Sequence, residues 1–134
     1  MKFDYWHQHR YFRLEGSDED LPFGEAPFVV GPVVTMAEPI WQSALATTLA
    51  KGSGANLPEW SWQGPLAPDA ADTVANLLDD VADELERTRR IVVASNIADD
   101  LAPDAPVVLE GLRALVELLR LAAQRRTRVQ TWVE

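Results

Sequence analysis

VVLEGLRALVELLRLAAQRRTRVQTWVE, Val107 to Glu134, changes its repeat partway along. Val108, Leu112, Leu115, Leu119 and Ala122 recur at the spacing of one helical stripe, and Leu109, Val116, Leu118, Leu121 and Ala123 widen it past half the circumference. Glu110, Arg113, Glu117, Arg120 and Gln124 remain as a polar rib at i, i+3 and i+4, where Glu and Arg can pair along the helix for a few tenths of a kcal/mol each. After Arg126 the spacing falls to two. Thr127, Val129, Thr131 and Val133 alternate with Arg128, Gln130, Trp132 and Glu134, the pattern of a strand that pairs into a sheet. Asp104 and Pro106 open the helix as cap and first-turn proline. Gly111 inside it costs about 1 kcal/mol in propensity, which close backbone packing would explain. So wide an apolar surface must be covered, either by a sheet and a neighbouring helix or by a second copy of the chain, which makes this helix the candidate seam of a homo-oligomer.

Working back along the chain, Asp69 precedes Asp72 by three and approximates a capping box, and Val74, Leu77, Leu78, Val81 and Leu85 follow as a second helical stripe. Asp72, Asn76, Asp79, Asp83 and Glu86 lie opposite that stripe, as a solvated acidic face. Arg87, Arg89 and Arg90 close the helix near Arg90, the order of charge that complements its dipole. Ile91 to Leu101 fits both a buried strand and a further helix, with a break near Arg90 either way.

Before Pro65 the elements shorten. Phe3 to Leu14 is aromatic-rich and free of Gly and Pro, which suits a strand; Gly16 to Pro27 reads as an acidic loop. Phe28 to Met36 is two short strands or one bulged strand, with Pro32 favouring a sheet edge. Pro39 opens a shorter helix carrying Ile40, Ala44, Leu45 and Thr48, which KGSG, Lys51 to Gly54, ends. Ala55 to Pro68 is a loop or ribbon that places Trp60 and Trp62 on one face wherever it is extended. Together these predict an α+β fold in one domain over residues 1–134: a small, mostly antiparallel sheet packed against two long C-terminal helices and one shorter helix.

Bulk properties narrow the function. The chain has 134 residues, 47% of them hydrophobic and 25% charged, which is globular usage. The absence of cysteine excludes disulfides, thiolate zinc sites and thiol catalysis. The first residues show no apolar run of a signal peptide, and nowhere does an apolar stretch reach membrane-spanning length, so the protein is expected in the cytoplasm. A net charge of −9 argues against nucleic acid and membrane surfaces and toward a basic protein partner.

Candidate chemistry is sparse. His7 and His9 would share one face of a strand with Tyr11, close enough to hold a ligand. Their spacing is similar to the His-x-His of cupin barrels, but the glutamate and third histidine that family requires are missing, and no metal is predicted. DDVAD, Asp79 to Asp83, matches the magnesium-binding string of prenyl-diphosphate enzymes, which pair it with a second acidic motif that this chain lacks. KGSGAN, Lys51 to Asn56, lacks the third glycine and strand-to-helix setting of a dinucleotide loop, and no cofactor is predicted. Two arginine clusters, Arg87 to Arg90 and Arg125 to Arg128, would form a basic patch if their helix ends met. The first expectation is therefore a non-enzymatic, acidic interaction domain of inhibitor or immunity-protein type, with Trp60, Trp62, Asp72, Asp79, Asp83 and Glu86 as contact candidates. The alternative is a small enzyme or ligand-binding domain whose pocket uses His7, His9, Tyr11 and nearby carboxylates.

Overall fold

The computed structural model describes residues 8–24, 27–50, 65–91 and 103–134. His7, Trp60, Trp62, the Lys51 to Asn56 loop and all but the first residue of Ile91 to Leu101 lie outside them. Four strands, β1 (His9–Leu14), β2 (Val29–Val30), β3 (Val33–Ala37) and β4 (Val129–Val133), form one antiparallel sheet in the order β2-β3-β1-β4. Three helices accompany it: α1 (Glu38–Ala50), α2 (Pro68–Thr88) and α3 (Ala105–Arg125). The fold is α+β, as the two periodicities predicted.

Alternation along β1 sorts its side chains cleanly. Arg10, Phe12 and Leu14 face the helices and are buried, while His9, Tyr11 and Arg13 face outward and are half-buried. Opposite them stand Met36 and Val34 of β3, and Thr131 and Val129 of β4, on the inner face. Phe28 to Met36 resolves into two short strands joined at Gly31 and Pro32. Gly31 takes φ +60, the left-handed conformation that a two-residue hairpin loop requires there. Pro32 falls in the loop beside the edge strand, where it owes no ladder hydrogen bond.

β3 runs straight into α1, and the corner is pinned by the Glu38 N–H donating to the Gln8 carbonyl at 2.9 Å. Ile40 and Trp41 of α1 are buried, with Trp41 meeting Phe12 edge to face at 5.1 Å. α3 lies on the same face of the sheet and touches α1 and β3, and α2 packs along α3. The wide apolar surface of α3 thus finds its cover within the chain: Val108, Leu112, Leu115, Leu118, Leu119 and Ala122 are all buried. Gly111 is buried against Met36 and Ile40, whose nearest atoms would stand 3.4 Å from an added Cβ, an ordinary van der Waals separation.

One helix boundary differs from expectation, the start of α2. α2 begins at Pro68 with Ala67 as its N-cap, so Asp69 sits in the first turn and makes no cap. Proline has no N–H to satisfy, so it fits the first helical position, and the Ala67 carbonyl accepts from Ala71 at 2.9 Å. The C-terminus of α2 is closed by Arg89 at φ 59, whose N–H reaches the Leu85 carbonyl at 2.8 Å. The buried face of α2 also includes Ala71, Ala75 and Ala82 beside its larger residues, and small side chains there let the two helices approach closely.

Candidate functional site

α2 and α3 run antiparallel, because Arg113 meets Asp83 and Glu86 while Arg120, two turns later, meets Asp79. The Arg87 to Arg90 cluster therefore lies at one end of the helix pair and Arg125 to Arg128 at the other, about 30 Å away for helices of this length. No shared basic patch forms from them. Arg125 instead faces Glu19 at 3.8 Å and Arg128 holds Glu15 at 2.6 Å, so the acidic residues after β1 answer two arginines of that end.

The acidic face of α2 is likewise engaged. Arg113 Nη1 lies 3.1 Å from Asp79, and its Nη2 lies 3.2 Å from both Asp83 and Glu86; Arg120 Nη2 approaches the second Asp79 oxygen at 2.9 Å. The arginines of the α3 rib pair across the seam with α2, in place of the intrahelical Glu–Arg pairs expected from spacing alone. The physical reason is valency: one guanidinium carries five donors in a fork and can serve carboxylates from two turns of a neighbouring helix at once. Asp72 is exposed at the start of α2. Among the described residues no group of three His, Cys, Asp or Glu side chains stands close enough to hold a metal ion.

His9 and Tyr11 lie on the outer sheet face, with ring centres 6.5 Å apart, and Tyr11 stacks on its cross-strand neighbour Trp132 at 5.4 Å with planes 14° apart. This aromatic row faces away from the helices, whereas Phe12 on the same strand is wholly buried.

Two features escaped the reading of the sequence. Beneath the sheet, Arg10 and Glu38 form a two-pronged ion pair, Nη2 to Oε1 at 2.9 Å and Nε to Oε2 at 3.3 Å, and Gln42 donates to the same carboxylate at 2.8 Å. Both charged residues are nearly solvent-free, at 3% and 4% exposure. The signal for it was parity: Arg10 shares its strand face with Phe12 and Leu14, so it had to be buried and paired.

The second is a groove of about 720 Å³ on the far flank of α3. Leu109, Glu110, Arg113, Ala114 and Glu117 form one wall; Phe23, Gly24, Phe28 and Val29 form the other. It continues along α3 past Phe23 and Glu117 into a smaller depression beside Arg120, Leu121 and Gln124. The loop wall is tied down by the Leu21 N–H donating to the Gly31 carbonyl at 3.0 Å. Gly24, at φ +70, has no room for a side chain, since a Cβ there would run into Val29. Phe23 inside the acidic loop, with Phe28 directly after it, was the trace of this wall in the sequence.

Glu110 and Glu117 are exposed and have no cation paired to them among the described residues, unlike Asp79, Asp83 and Glu86 of α2. No helix among the described residues is long and apolar enough to cross a membrane. Compared with known proteins, the chain matches no family model, no curated protein and no solved structure.

Proposed function

We propose that the chain is a cytoplasmic, non-enzymatic binding domain that covers the surface of a basic protein partner, in the manner of an inhibitor or a toxin-neutralising immunity protein. One observation carries this reading. Arg113 and Arg120 are already answered by carboxylates, yet Asp72, Asp80, Glu110 and Glu117 stand exposed and form no ion pair among the described residues. On a chain of net charge −9, Arg113 and Arg120 are thus committed across the helix seam while these four carboxylates face outward. Such a field speeds encounter with a cationic surface and fixes the register of docking.

The test is direct. The immobilised chain, offered the native lysate, should retain a stoichiometric partner whose affinity falls steeply as salt is raised. Retention of nothing, or of a partner indifferent to salt, contradicts the proposal.

A further inference from the structure

We infer that the groove between α3 and the wall of Phe23, Gly24, Phe28 and Val29 seats an amphipathic, basic segment of the partner, its apolar side chains resting on Phe23, Leu109 and Ala114 and its Lys or Arg side chains meeting Glu110 and Glu117. The inference rests on the protein-binding reading above and assigns the place and chemistry of contact.

Charge complementarity selects the occupant. Around the groove and the seam behind it, five carboxylates, Asp79, Asp83, Glu86, Glu110 and Glu117, face two guanidinium groups, Arg113 and Arg120, leaving a formal −3. Arg113 lines the groove but is held by three α2 carboxylates, so its charge is already answered and does not recruit an anion. Glu110 and Glu117 lie two helical turns apart, about 10 Å, and bracket Ala114 between them. Two cationic side chains flanking an apolar one match that order: cation, apolar contact, cation. Phe28 and Val29, themselves buried, back the apolar floor. The wall is fixed before binding by the Leu21 to Gly31 hydrogen bond, so little ordering is required of the host. An anionic segment would meet the same carboxylates with repulsion, which is how the groove discriminates.

The probe is a fluorescent synthetic peptide of Lys and Leu at helical amphipathic spacing, titrated against the full chain by anisotropy at low salt. We expect saturable binding, on the order of tenfold weaker in E110K/E117K and intermediate in E110Q/E117Q. D69K/E134K, the same change of charge at exposed positions outside the groove, should shift affinity less than about twofold. A114W fills the groove without altering charge and should also weaken binding on the order of tenfold. Circular dichroism establishes that each variant is folded. Equal losses in the two charge reversals, unchanged binding in A114W, or equal binding of a Glu/Leu peptide each overturn the assignment. If the natural partner is retained equally by the native chain and E110K/E117K, the groove is wrong while the binding reading stands. If the native chain retains no partner, that reading fails and the groove assignment with it.

Discussion

Replacing Arg10 with methionine should be among the most damaging single changes available to the sheet. The substitution keeps the apolar stem but deletes both charged contacts to Glu38, leaving its carboxylate buried with the Gln42 amide, 2.8 Å away, in place of three donors. With Glu38 only 4% exposed, water cannot replace the lost partner cheaply, and a buried charge stripped of its counter-ion costs about 3–5 kcal/mol. A chain of 134 residues has roughly 7–20 kcal/mol of total stability. The loss is therefore a large fraction, equivalent to roughly 10–20 °C in Tm. Glu38→Leu should also be harmful, because it removes the carboxylate from both of its guanidinium contacts. The double variant R10M/E38L removes both charges and should return to within about 2 kcal/mol of the native chain, since apolar replacement of a buried pair is often neutral. Urea unfolding followed by circular dichroism on all four proteins completes a double-mutant cycle, with an expected coupling energy of at least about 2 kcal/mol. Single losses below about 1 kcal/mol, or a double variant whose loss equals the sum of the singles, would refute the claim that the pair acts as a desolvated unit.

Three further outcomes follow from particular residues. Gly111→Ala should stabilise the protein by about 0.5–1 kcal/mol, because the new Cβ meets Met36 and Ile40 at 3.4 Å without displacing them while helix propensity improves; a lowered urea midpoint would mean the α1–α3 contact is tighter than that distance implies. Arg113→Met should cost about 1 kcal/mol at low salt and less at high salt, since the ion pairs it removes are partly exposed; a loss above about 3 kcal/mol, or one insensitive to salt, would show the seam to be effectively buried. Elemental analysis of chelator-free protein should find no stoichiometric metal; a metal that disappears in H7A/H9A would favour the ligand-pocket alternative over the binding domain.

Where one face of an element is buried, its period is imposed by the core, and the sequence is readable. β1 and β4 alternate because Phe12, Leu14 and Val129 must point inward, and α3 shows a stripe because Leu112, Leu115 and Leu119 must reach α1, α2 and the sheet. The same parity placed Arg10 on the inner face, although its partner, 28 residues away at the start of α1, is specified by the strand-to-helix corner and not by any local pattern. The α2 boundary slipped by a residue or two because Pro68 took over the role that the aspartates suggested for a cap.

The polar faces were less legible, for a related reason. On its own wheel the α2 acidic face looks solvated, and on its own wheel the α3 rib looks self-paired. Only the antiparallel pairing of the two helices reveals that Arg113 and Arg120 turn toward α2 and satisfy Asp79, Asp83 and Glu86. That exchange has a consequence for binding. Carboxylates committed to arginines offer little to an incoming cation, because the partner would have to compete with an intramolecular ion pair at high effective concentration. Glu110 and Glu117, deprived of the arginines that share their rib, carry uncompensated charge beside the apolar groove. Asp79, Asp83 and Glu86 are therefore the weaker anchors for an incoming cation, and Glu110 and Glu117 the stronger.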